Sequence, residues 1–190
     1  PTRKIMEDQG EQIAALLDET SPETAPHTCV PGFRYAVPRT GEELKRFQKA
    51  ERIILFSHYP QHSCSTSGSS VCDSYRWLKN NPELRDKISV IDRWWDRQDY
   101  TDLWAKLIEK KFREFTSTHN LKDEEVLVLY SAHSLPEAYC LEKGDRYNQE
   151  IQGSVGNIER KLKDLGLHHS HALGWQSKVG PKRTKWLSPS

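Results

Sequence analysis

Nowhere in the 190 residues is there an apolar run approaching the roughly 20 that a membrane-spanning helix needs. The longest stretches resemble Val126 to Tyr130, and the opening PTRKIMEDQG has no signal-peptide core, so the sequence as given reads as soluble. Charge of one sign is missing too. The 28 Lys+Arg stand against 27 Asp+Glu for a net charge of +1, which leaves no global field to recruit nucleic acid or an anionic membrane, although a local patch is still open. The four cysteines, Cys29, Cys64, Cys72 and Cys140, show neither C-x-x-C pairing nor zinc-type spacing. That argues for free thiols in a reducing compartment. Internal repeats, low-complexity tracts, G-x-S-x-G, the P-loop pattern and H-E-x-x-H are all absent, which weakens hydrolase, nucleotide-binding and zinc-protease readings.

Aromatic rings are what the chain has in quantity: six Trp, seven Tyr and five Phe. Rings beyond the needs of a core suit a flat or apolar ligand, and they suit buried packing equally well. The length is enough for one sizeable domain or parts of two.

Strand and helix patterns alternate along the chain. Ile13, Leu16 and Leu17 share one face of a helix over 8–18, which the prolines of 20–26 terminate. GFRYAVP (32–38) is a short strand candidate, after which Thr40 and Glu43 have capping-box spacing for a helix carrying Leu44 and Phe47. RIILFSHYP (52–60) and ISVID (88–92) read as buried strands, with a helix around 71–78 between them. Leu103, Leu107, Phe112 and Phe115 form one stripe of a helix over 102–115. Val126 to Tyr130 lacks polar alternation and so reads as a strand covered on both faces, with His133 at its carboxyl end. Ile151, Val155, Ile158, Leu162 and Leu165 mark a second amphipathic helix, and HALGWQSK (171–178) a last strand. This order predicts an α/β fold with parallel sheets, whose ligands bind beyond the carboxyl ends of the strands.

The loops there carry the chemistry. SCSTSGSS offers hydroxyls and N–H groups before a helix, which reads equally as an anion-friendly turn or a plain capped loop. In RWWDRQ two adjacent indoles cannot share one strand face, so at least one points to a pocket or rim, or lids the sheet end. His133 can take a proton near neutral pH or coordinate a divalent metal, or it can be structural. His168, His169 and His171 read as a solvated cluster in a polar turn.

Six stretches in this order, PGFRYAVP (31–38), YPQHSCSTSGSS (59–70), IDRW (91–94), SAHSLP (131–136), GDRYNQE (144–150) and WQSKVGP (175–181), closely resemble ferrochelatase. That enzyme inserts ferrous iron into protoporphyrin IX to make haem, the last step of haem biosynthesis. The resemblance implies two Rossmann-like lobes around a cleft. Residues 1–130 would hold the remainder of the first lobe and the central strands, and 131–190 the start of the second. It also implies that His133 accepts pyrrole protons or transiently ligates iron, and that Arg34 and Tyr35 line the cleft. Trp94, Tyr147, Ser177 and Trp186 would be pocket and propionate-facing residues. Cys64 matches one of four ligands to a 2Fe-2S cluster in animal members, the other three of which lie in a C-terminal extension that Cys29, Cys72 and Cys140 do not match. A homodimer when complete, peripheral association with the mitochondrial inner membrane on its matrix side, and no nucleic-acid partner are implied as well.

The sequence departs from the family pattern in four places. Its first strands and the carboxylate pathway opposite the histidine fall outside 1–190, the paired histidines after IDRW are replaced by Arg97 and Gln98, and the spacing from Pro181 to Trp186 is long. These departures suggest a central fragment truncated at both ends. The alternative is a catalytically inactive tetrapyrrole-binding fragment or isoform, and a serine hydrolase using SCSTSGSS is the weakest reading.

Overall fold

The computed structural model describes residues 2–180 and 183–189; Pro181, which closes the WQSKVGP stretch, lies outside them. The elements in chain order are α1 (Thr2–Thr20), α2 (Thr40–Arg46), β1 (Ile53–Phe56), α3 (Ser67–Leu78), β2 (Ile88–Ile91), α4 (Gln98–His119), β3 (Leu127–His133), α5 (Glu137–Leu141), α6 (Tyr147–Asp164) and β4 (Ser170–Gln176). The chain divides into two compact units, 1–56 with 69–90, and 57–68 with 91–190. The second unit runs through residue 130.

In the first unit β1 pairs with β2, and Leu44, Ile53, Leu78 and Leu84 are buried together with Phe47, Trp77 and Ile88 against them. The 32–38 stretch is not a strand. Its ends close on each other instead, with Phe33 N–H donating to the Pro38 carbonyl at 2.9 Å and Thr40 N–H donating to Phe33 at 3.3 Å. Pro38 deprives this segment of a ladder donor and Pro31 precedes it, so a bent loop satisfies its backbone better. The cap of α2 also differs from expectation. Glu42 rather than Glu43 accepts the Arg39 N–H, at 3.0 Å, and Glu43 pairs with Arg46 inside the helix. α3 starts at Ser67, so the serines expected in a loop form its first turn, where small hydroxyl residues are well tolerated.

The second unit is built on a parallel pair. β3 and β4 run in register from Leu127 opposite Ser170 to His133 opposite Gln176. Val126, Val128 and Tyr130 turn inward onto a core of Ala105, Phe112, Ile158, Leu162 and Leu167 supplied by α4, α6 and the turn that follows. The outer face is bare. Leu127 and Leu129 are 58% and 64% exposed, which corrects the reading of a strand covered on both sides, because α4 and α6 form one layer only. α4 likewise buries Ala105 and Phe112, with Ile108 between them, while Leu103, Leu107 and Phe115 are exposed. The stripe read from sequence was thus one flank of a wider apolar arc.

Local chemistry explains how the helices stop. Asn120, in the left-handed region at φ 52°, ends α4, and the Leu121 N–H reaches back to Thr116 at 3.0 Å. Gly166 does the same for α6 at φ 81°, with the Leu167 N–H on Leu162 at 3.1 Å. This six-to-one closure throws a buried leucine into the core just before β4.

Of the histidines read as a solvated cluster, His168 and His171 are exposed and His169 is not. The His169 side chain is 2% exposed and its Nε2 lies 3.3 Å from Glu159, which also receives the Tyr130 hydroxyl at 2.7 Å and faces His171 Nδ1 at 3.1 Å. One carboxylate on α6 therefore ties the middle of β3 to the amino end of β4. Burial first, and the hydrogen bond to Glu159 second, push the Tyr130 hydroxyl far above the usual phenol value; burial and Asp145 raise Tyr147 as well. A phenol that keeps its proton when folded loses stabilisation once the unfolded chain can ionise, so stability should fall as pH rises through about 10. In an alkaline absorbance titration, two of the seven tyrosines should lag behind a free phenol until the unit unfolds. Seven ionising together would contradict this.

Candidate active site

In-register parallel pairing brings the carboxyl ends of β3 and β4 side by side, so the segments after His133 and after Gln176 leave the sheet together. They are stitched to each other. The Ser134 N–H donates to the Gln176 carbonyl at 2.7 Å, Glu137 N–H to Lys185 at 2.9 Å and Leu187 N–H to Leu135 at 3.0 Å. The buried Ser134 hydroxyl adds a bond to the Leu187 carbonyl at 3.1 Å. Pro136 and Trp186 face each other in an antiparallel bridge.

These segments and the serine-rich loop enclose a cavity of about 700 Å³, within the range of small-molecule sites. His133 opens onto it with Tyr59, Tyr139, Tyr147 and Trp186, and Ser63, Ser65 and Thr66 supply hydroxyls. His133 is exposed, as the last residue of β3. Tyr147 begins α6 and rests its ring 6.1 Å from that of buried Trp175. Three of the residues singled out from sequence, His133, Tyr147 and Trp186, therefore share one cavity.

The others lie elsewhere. Trp94 is outside the lining; its indole N–H donates to the Ser57 carbonyl at 2.9 Å and its backbone N–H to Pro60 at 2.8 Å, which pins the segment leading to Tyr59 and Gln61. Ser177 follows β4 in the left-handed region at φ 62° and donates its hydroxyl to Gln176 at 2.7 Å. Such a backbone is costly for a non-glycine residue and turns the chain sharply off the strand. In the first unit, the Arg34 guanidinium lies 5.0 Å over the Tyr35 ring and donates to the Ser69 carbonyl at 2.6 Å.

Cys64 is exposed and unbridged. Burial of its thiol, then the Asp145 charge, push it above the usual cysteine value, opposite to what a metal-binding thiolate needs. Among the described residues no group of three or more His, Cys, Asp or Glu side chains is arranged to hold a metal. These residues do not fit an iron–sulfur cluster, which takes four ligands.

Sequence reading missed two residues that shape the cavity. Asp145 is 5% exposed and accepts from the Ser63 hydroxyl at 3.0 Å, the Cys64 N–H at 2.8 Å and the Tyr147 N–H at 3.0 Å. Glu150, 4% exposed, accepts the His62 N–H and pairs with Arg93, both at 2.7 Å. The signal available was an acidic residue just before a helix, where a short carboxylate commonly binds the N–H two positions on. The long-range donors were not legible.

Trp95 packs on α6 at Gly153, where any Cβ would collide with its indole. Gly153→Ala should lower the stability of this unit by about 1–3 kcal/mol, read by urea unfolding. An unchanged midpoint would mean that the indole is not seated there.

Fold and site together define an α/β protein with a ring-lined cavity beyond the carboxyl ends of parallel strands and a histidine at its mouth. The ferrochelatase family model matches residues 1–190. The mitochondrial ferrochelatase of Xenopus laevis is 41% identical over 192 residues, covering 100% of this chain and 44% of that protein. Its namesake in Dictyostelium discoideum is 38% identical over 208 residues, covering 100% and 48%. The human one is 40% identical over 186 residues, covering 95% and 41%. The chain belongs to the ferrochelatase family, and it spans between 41% and 48% of the length of these relatives.

Proposed function

We propose that this chain carries the histidine side of a site that inserts ferrous iron into protoporphyrin IX. The observation behind this reading is the cavity of about 700 Å³ in which His133 meets Tyr59, Tyr139, Tyr147 and Trp186. Flat rings and hydroxyls on one wall suit the face and carboxylate edge of a porphyrin. Insertion breaks the two pyrrole N–H bonds and releases both protons as the ion becomes bound by all four ring nitrogens. An exposed imidazole at the cavity mouth accepts a proton and passes it to water, and can ligate the incoming ion on its way. Arg34 and Tyr35 are further candidates for a porphyrin edge and face, and Ser177 and Trp94 for fixing the loops that border it.

Iron enters here as substrate. A 2Fe-2S cluster would need three sulfur ligands beyond Cys64. The relatives' names support a mitochondrial location. Peripheral docking on the matrix side of the inner membrane is favoured by exposed Leu141 and Val179, at 78% and 79%, and by the exposed cations Lys143, Arg183 and Lys185, on segments that frame the cavity. No helix among the described residues is long and apolar enough to cross a membrane. A homodimer is favoured by the exposed Leu103, Trp104, Leu107 and Phe115 on α4.

The test is anaerobic incubation with ferrous iron and protoporphyrin IX, read by loss of porphyrin fluorescence and appearance of the haem Soret band. Binding and insertion support the proposal. Saturable binding without insertion selects a tetrapyrrole-binding fragment, and the absence of binding rejects both readings.

A further inference from the structure

Asp145 sits where two walls of the cavity meet. One wall is the turn 63–66, whose Ser63, Ser65 and Thr66 face the cavity; the other starts at Tyr147, the first residue of α6. The carboxylate holds both. Oδ2 takes the Ser63 hydroxyl and the Cys64 N–H, and Oδ1 takes the Tyr147 N–H. The turn in turn closes on Ser63, whose hydroxyl receives the Ser65 N–H at 3.2 Å and whose carbonyl receives Thr66 and Gly68 N–H groups at 3.1 and 3.0 Å. These three donors, with the Cys64 thiol beside them, converge on a group that is 5% exposed, so only an acceptor on both oxygens satisfies the place. Asparagine presents an amide N–H on one side and sets donor against donor, whichever way it is turned.

We propose that Asp145 is a positioning residue which registers the hydroxyl-bearing turn against Tyr147, and so sets the width and chirality of the seat for a tetrapyrrole. Asp145 is absent from the cavity lining and acts through the groups it holds. A donor stranded beside a mismatched partner must find water, and at this place water is reached only by moving the turn or the first residue of α6. This inference rests on the tetrapyrrole reading of the cavity, and its test separates the two.

Protoporphyrin IX is titrated into the wild-type chain, Asp145→Asn and Ser63→Ala, and three quantities are followed: affinity, the induced circular dichroism of the bound porphyrin in its Soret band, and far-ultraviolet dichroism as the check on folding. Asp145→Asn is expected to bind about tenfold more weakly, as one unsatisfied buried group implies, and to lose most of the induced Soret signal at saturation while its far-ultraviolet spectrum stays native. Ser63→Ala keeps two of the three bonds and should fall between. Wild-type affinity with an undiminished Soret signal in Asp145→Asn overturns the proposal. Should Asp145→Asn fail to fold, Ser63→Ala decides: a weakened signal supports the assignment and an unchanged one overturns it.

If the wild-type chain binds no porphyrin, the functional reading fails, and Asp145 is judged on native-state amide hydrogen exchange of the groups it holds. Asp145→Asn should speed exchange of the Cys64 and Tyr147 N–H groups about tenfold. Unchanged rates would show that Asp145 does not hold this turn.

Discussion

Replacing His133 by alanine is expected to lower the rate of iron insertion about 10²–10⁴-fold, the range for loss of a positioned proton acceptor, while protoporphyrin affinity stays within about threefold. The expectation comes from placement. His133 ends β3, is exposed, and opens onto the cavity, and neighbouring segments fix its backbone through Ser134 on both sides. The rings that would carry porphyrin affinity are others, chiefly Tyr147 and Trp186. Affinity and turnover should therefore separate in this variant. Glutamine is a useful second replacement, since it keeps polar bulk but cannot take up a proton near neutrality. If insertion persists in both variants, His133 is not the acceptor.

The second large effect concerns the core beneath the site. Leu162 has no exposed surface and stands at the centre of the cluster formed by Ala105, Phe112, Ile158 and Leu167. Truncation to alanine leaves a cavity among residues of α4, α6 and the approach to β4, and should cost about 2–5 kcal/mol. Because the same helix presents Tyr147 at its first residue and Glu150 one turn on, the loss should reach the cavity. Melting followed by tryptophan fluorescence is expected to drop by roughly 2–4 °C per kcal/mol for a chain of this size. A shift of less than 1 kcal/mol, about the size of a surface substitution, would mean that the α4–α6 interface contributes little.

Much of this was legible in the sequence. The five-residue apolar run gave β3 and the place of His133 at its carboxyl end, and the four-and-three spacing from Ile151 to Leu165 gave α6. Periodicity reports that a face is apolar, not what lies on it. For that reason Leu127 and Leu129 were read as covered, and of the α4 stripe Leu103, Leu107, Phe112 and Phe115 only Phe112 is buried, in an arc that also takes in Ala105 and Ile108. The 32–38 stretch was read as a strand although Pro38 ends it and Pro31 precedes it. His169 was read as solvated because its partner, Glu159, lies ten residues away on a helix. Asp145 and Glu150 were missed for the same reason, since their donors at 62–64 lie more than eighty residues earlier in the chain. Buried polar bonds between distant segments leave no local pattern.

The central claim is that a tetrapyrrole sits in the second-unit cavity beside His133. Its most direct test is a protoporphyrin IX titration of the 15N-labelled chain, following the imidazole resonances of its eight histidines. The account requires the His133 ring signals to shift under the porphyrin ring current and to saturate at one equivalent, with His169 little changed. Shifts confined to the other histidines, or none at all while porphyrin binds, would contradict it.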